Sequence, residues 1–347
     1  MQGTRDLYRI SQLPIFQNRM YDSRLEARQC PKGDIRLVEN QQTGLVYNAD
    51  FRPELMVYDS RYQNEQAVSP LFQEHLTSIS QIVERGMGRD QLIEVGCGKG
   101  FFLERLLGQG FNVTGFDPTY EGGNPRVQRR YFTPGVANRA NGLILRHVLE
   151  HVQDPVNFLE QLRESNQGGG KIYIEVPCFD WICEHRAWFD IFYEHVNYFR
   201  LSDFSRMFGS IIESGRVFGG QYLYVVADLS TLKKPQIDFD DTVSFPDNFT
   251  QHIADLEQSA IWGGASKGVI FALIKERAGT SISTVIDINP AKQGKYLPAT
   301  GLLVQSPTEA LLKLPAGSTI YVMNSNYIDE IKKMSNDAFN YIGVDHE

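Results

Sequence analysis

The sequence is short of the features that would place it in several large protein classes. Its four cysteines, Cys30, Cys97, Cys178 and Cys183, are scattered and form no CxxC pair. That argues against a cysteine-built zinc site and fits a reducing compartment, so no metal is expected. Basic residues are outnumbered, 34 Lys and Arg against 42 Asp and Glu, for a net charge of −8. A nucleic-acid partner needs a basic field, so none is expected. No apolar run reaches membrane-spanning length, and no membrane association is expected. The opening MQGTRDLYRISQLP lacks the basic-then-apolar layout of a secretion signal. The expected setting is cytoplasmic.

What is present divides into three parts. Residues 1–85 read as an irregular lead-in or cap, with two short strands in RLVENQQTGLVYN around a polar turn at Gly44. SPLFQEHLTSISQIVERG predicts an amphipathic helix, with Ser69 as N-cap, Pro70 in the first turn and Gly86 at its end. Residues 86–230 alternate strand, loop and helix: QLIEVGC, GFFLERLLGQG, FNVTGFD, NGLILRHVLEHV, DPVNFLEQLRESN and KIYIEVP. Such alternation predicts a parallel sheet covered on both faces, an α/β fold. The polar stretch 231–250 reads as a linker. Residues 231–347 then repeat the theme as a second, smaller α/β domain, opening with SAIWGGASKG.

The strongest local signal is IEVGCGKGFF. Gly96, Gly98 and Gly100 stand between a strand and a helix, where glycine permits a sharp turn and brings backbone N–H groups close to a ligand. Asp117 ends the next strand, a position from which a carboxylate can accept both ribose hydroxyls. The third glycine comes one residue too early for the dinucleotide pattern G-x-G-x-x-G. Further on, His147 and His151 share a helical face if local helix forms, but a metal there needs a third ligand. Glu194 and His195 are adjacent in the aromatic stretch FYEHVNYF.

With Glu94 ahead of the first glycine, EVGCGKG and the downstream GFDP resemble motifs I and II of class I S-adenosylmethionine (SAM)-dependent methyltransferases, and LILRHVLEHVQDP resembles their motif IV. Over roughly residues 55–335 the chain is similar to the sugar C-methyltransferases that act on nucleotide-linked ketosugars. IEVP followed by FYEHVNYF, GGQYLYV, GGASKG and VIDINPAKQGKYLPATG carry that resemblance. It implies a Rossmann-like SAM-binding domain and a Rossmann-like C-terminal domain. It also implies SAM as cofactor, held by Glu94, Gly96, Gly98, Gly100 and Asp117 with His147 alongside.

In the same resemblance His195 is the base that removes a proton next to a ketone, so that the enolate attacks the SAM methyl in line. Glu194 supports it, His151 faces the substrate oxygen, and Tyr62 assists from the N-terminal segment. Lys267, Tyr193 and Gln221 contact the substrate, and Asp287 stands where a second ribose acid would. Lys292 and Lys295 are expected to be exposed. The sequence departs from the family at its zinc module, where CPKGD keeps Cys30 but has Gly33 in place of the next cysteine. It departs again where Phe192 and Tyr193 replace a tyrosine and a histidine. The partner expected is a small molecule, bound by a monomer or homodimer. The alternatives are O- or N-methylation of a sugar or other small metabolite, and a non-catalytic nucleotide-binding protein that kept the fold.

Overall fold

The N-terminal segment alternates exposed and half-buried residues over Thr4–Leu7, the period of a strand with one face covered. The computed structural model, which describes residues 3–57, 69–250, 259–280 and 282–345, turns it into an antiparallel sheet rather than an irregular lead-in. β1 (Thr4–Pro14) pairs with β2 (Lys32–Asn40), and β2 with β3 (Val46–Asn48). Gly44 makes the expected turn in the left-handed region, φ 74°, and its N–H donates to the Asn40 carbonyl at 2.7 Å.

The helix Pro70–Met87 begins as its sequence predicts, with the Ser69 hydroxyl accepting from the Phe72 N–H. It runs past Gly86 to a C-cap at Gly88. Gly86 serves close approach instead: a Cβ there would lie 2.9 Å from Val226 Cγ1. The buried face, including Phe72, Leu76, Ile79 and Val83, recurs with the helical period and packs with Ile144 and Tyr173 of the central sheet.

That sheet contains β4 (Leu92–Val95), β5 (Val113–Phe116), β6 (Val127–Gln128), β7 (Gly142–Arg146) and β8 (Lys171–Pro177), all parallel. The tiny strand β9 (Asn197–Tyr198) leaves it and pairs with β3, completing the N-terminal sheet. β10 (Ile211–Val217) and β11 (Tyr222–Asp228) then add an antiparallel edge, giving the order β10-β11-β8-β7-β4-β5-β6. Strand order reverses between β4 and β7, so their carboxyl ends open the crevice where open α/β sheets bind ligands.

Residues 231–250 are not a free linker. They lie over β1, with Phe245 and Phe249 rings 5.8 and 5.1 Å from Tyr8. A second parallel sheet follows: β12 (Ala260–Trp262), β13 (Thr284–Ile286), β14 (Val304–Gln305), β15 (Thr319–Val322) and β16 (Asn340–Gly343), in the order β14-β13-β12-β15-β16. Its own reversal lies between β12 and β15. Both sheets are Rossmann-like. No described helix is long and apolar enough to cross a membrane.

Candidate functional site

The loop after β4 is held by its own second-strand acid. Gly96, Gly98 and Gly100 all have positive φ, 72°, 53° and 80°. A Cβ on Gly96 would come within 2.6 Å of Val148 Cγ2, so the turn needs glycine there for space as well as torsion. The Gly98 N–H donates to Asp117 Oδ2 at 2.8 Å, while Asp117 Oδ1 accepts from the Thr119 N–H and hydroxyl at 2.8 and 2.7 Å. Glu94, at the strand end, is buried, and its Oε2 has no hydrogen-bond partner among the described residues. Burial pushes this carboxyl up to about 8, against the opposing pull of Arg146.

A cavity of about 260 Å³ opens at the reversal point, and Glu94, Gly96, Gly98, His147, His151 and His195 all line it. Gly100 and Asp117 are not among the residues that line it. The expected cofactor loop and the expected catalytic pair therefore share one space. Tyr62 lies outside the described residues.

The histidines are wired differently from one another. His147 leaves β7 in the left-handed region, φ 50°, the kind of local strain that clusters at functional sites. Its Nδ1 is 3.2 Å from Glu150 Oε1 and its Nε2 3.2 Å from Glu175 Oε1. Burial works against charge on this ring, but the two carboxylates outweigh it and raise it to about 9. Glu175 also binds Arg146, His75 and Tyr173, so His147 borders a buried polar network.

His151 Nδ1 lies 2.9 Å from the Glu194 backbone oxygen. A carbonyl only accepts, so Nδ1 carries the proton and Nε2 bears the lone pair of the neutral ring. The His195 ring sits 5.0 Å from His151, nearly perpendicular to it, and its Nδ1 is buried without a partner among the described residues. Burial first, and then His151, push the His195 imidazole down to about 3.

The carboxylate beside these rings is Glu150, not Glu194. Glu150 is 1% exposed, its Oε2 lacks a hydrogen-bond partner among the described residues, and its ligand atom lies with those of His151 and His195 in one group within 4.8 Å. Burial would raise its pKa, but His147, His151 and His195 bring it below the ordinary value. Glu194 also lines the cavity, but its Oε1 accepts from the Gln17 N–H of the N-terminal segment at 2.8 Å. Glu150 was readable only as the acid inside HVLEHV, and the turn Leu149–His151 that aims it is tertiary.

Tyr193 is corrected from substrate contact to packing. It is fully buried, its ring 5.6 Å from Phe51, and its hydroxyl accepts from the Arg52 N–H at 2.9 Å. A Cβ at Gly33 would lie 2.2 Å from Tyr193 Cε2, so glycine at 33 and tyrosine at 193 fit as a pair.

The C-terminal loop repeats the same clasp. The Gly264 N–H donates to Asp287 Oδ2 at 2.8 Å, and Asp287 Oδ1 accepts from the Asn289 N–H at 2.8 Å. Lys292 is buried with its Nζ 3.3 Å from Asp287 Oδ2, contrary to its expected exposure, and Lys295 pairs with Asp22. Lys267 lines both this unit's cavity, about 180 Å³, and the first one. Its Nζ lies 2.8 Å from Gln221 Oε1 and 3.1 Å from Asp190 Oδ2. Gln221 lines neither cavity; it also binds Asn324 and Asp345, joining the two sheets' loops.

Residues 59–210 match the family described as "Methyltransferase domain". No curated protein matches the chain. Among solved structures, the Burkholderia thailandensis 1,6-didemethyltoxoflavin-N1-methyltransferase, with 1,6-didemethyltoxoflavin and S-adenosylhomocysteine bound, is similar at 17% identity and TM-score 0.35, over 46% of this chain and 80% of that one. N-methyltransferase NodS of Bradyrhizobium japonicum is similar at 15% and 0.33, over 46% and 97%. A SAM-dependent methyltransferase of Archaeoglobus fulgidus is similar at 17% and 0.33, over 47% and 100%. The family match covers less than half of the chain, and the sheet order and the glycine loop give its described part a Rossmann-like fold.

Proposed function

We propose that the chain transfers a methyl group from SAM to a small-molecule acceptor lying between the glycine loop and the His151–His195 pair. The observation that carries this reading is the shared cavity: Glu94, Gly96 and Gly98 form one wall, and His151 and His195 another. The residues present fit the cofactor. The oxygen of buried Glu94 that has no partner among the described residues suits an ammonium group, and Asp117, off the cavity wall, serves the cofactor by holding the Gly98 turn. When bound, SAM supplies an electrophilic methyl.

The acceptor we propose is a nucleotide-linked ketosugar, methylated on carbon. His195, neutral at cellular pH, takes the proton next to the ketone, and the carbanion attacks in line. Glu150 stabilises the imidazolium that forms, since it is the carboxylate beside the ring. His151 donates to the enolate oxygen only as imidazolium, because its Nδ1–H is committed to the Glu194 carbonyl. The apolar and aromatic wall of the second cavity, with Trp262, Met323 and Tyr327, suits a nucleotide base, and Lys267 on the shared wall suits its phosphates. In this scheme residues 1–85 cap the site, 86–230 hold the methyl donor and 231–347 hold the acceptor. The test is α-hydrogen exchange of a nucleotide-linked ketosugar in D2O with S-adenosylhomocysteine bound. Wild type exchanges and His195→Asn does not; no exchange by wild type refutes C-methylation of that acceptor.

A further inference from the structure

Two histidines four apart in sequence suggested a metal pair lacking a third ligand, but the fold separates that pair. His147 pairs with Glu150 and Glu175, while His151 and its neighbour Glu150 meet His195 from a different part of the chain. We propose that Glu150, His151 and His195 form a three-ligand site for a divalent transition-metal ion of the zinc and cobalt class.

Several independent features suit these side chains to a metal. Their ligand atoms all lie within 4.8 Å of one another. Glu150 is almost wholly buried, yet its Oε2 has no hydrogen-bond partner among the described residues, and neither does His195 Nδ1. An unpaired buried carboxylate oxygen is costly, and a cation beside it removes that cost. His151 donates its Nδ1–H to a backbone carbonyl, the outer-shell contact that fixes the ring of a metal-bound histidine and leaves Nε2 to ligate. Two imidazoles and one carboxylate match the donor preference of zinc and its neighbours, and the adjoining cavity leaves room for water or an acceptor oxygen at an open position.

One consequence rests on the methyl-transfer reading above. A neutral imidazole has a single lone-pair nitrogen, so a metal bound to His195 occupies the position that would take the proton. Metal-loaded and proton-abstracting states of this site therefore exclude each other.

The test uses the full chain, treated with a chelator and titrated with cobalt(II) alone. A site of low coordination number gives a visible absorption band, expected to saturate at one cobalt per chain. Glu150→Gln and His151→Asn should each weaken cobalt binding at least about tenfold. His185→Asn, whose ring meets the Asp345 carbonyl elsewhere, should leave it unchanged. S-adenosylhomocysteine calorimetry on each variant reports folding and tests the cofactor reading separately. No visible band in wild type, or a band that survives both Glu150→Gln and His151→Asn, overturns the proposal.

Discussion

The two strand–glycine–helix units of this chain use the same clasp and differ in what they leave open. In each, an acid at the end of the second strand accepts a backbone N–H from the glycine loop at 2.8 Å, Asp117 from Gly98 and Asp287 from Gly264. In the second unit the acid then meets a lysine of its own loop, Asp287 with Lys292, while Lys267 reaches across to Asp190 of the first. In the first, Glu94, Glu150 and His195 each keep a buried polar atom without a hydrogen-bond partner among the described residues. The clasp is thus a way to build the turn. Chemistry needs groups left unsatisfied beyond it, and those gather where β7 ends.

The largest effect that would break this contrast is at His195. His195→Asn should lower methyl transfer at least about 100-fold, as for loss of a general base, with cofactor affinity unchanged. Because the ring is pushed down to about 3, a base acting from it is already neutral above pH 5. The rate should show no His195 limb near 6.5, the unperturbed imidazole value; such a limb would mean that the ring is solvated.

Next comes the packing that separates this chain from the zinc-bearing pattern. Gly33→Cys places a Cβ against the Tyr193 ring and should cost roughly 1–3 kcal/mol, read as a lower thermal midpoint. An unchanged midpoint would show that the ring yields.

A smaller effect should follow pH. His147 is raised to about 9 in the fold, so the stability it contributes is present in full below about 6.5 and is lost as pH rises through 9. Glu150→Gln should flatten that alkaline loss in a thermal melt series. An equally steep loss in the variant would remove Glu150 from the account of His147. The smallest effect is expected for Glu194→Gln, which keeps an oxygen for the Gln17 N–H. Its stability should change by no more than about 1 kcal/mol.

Both α/β units were legible in the sequence because their signals are local: an apolar strand, a glycine turn, then an acid closing the next strand. The N-terminal sheet was legible only in part. Its hairpin is a local turn at Gly44, but its last strand, β9, arrives from a distant segment. Glu194 looked like the partner of His195 through adjacency alone. Glu150 takes that place because the β7 turn and the 192–196 loop converge, a long-range fact. Lys292 was misjudged for the same reason: its charge is buried against an acid that only the folded loop brings near.

The most direct test of the central claim, that the first clasp and not the second holds the methyl donor, is calorimetry with S-adenosylhomocysteine on wild type, Asp117→Ala and Asp287→Ala. The account predicts one site per chain. Affinity should fall by about 1–3 kcal/mol in Asp117→Ala, as for a lost hydrogen bond to a charged acceptor, and stay unchanged in Asp287→Ala. No binding to wild type, or a loss in Asp287→Ala equal to that in Asp117→Ala, would contradict it.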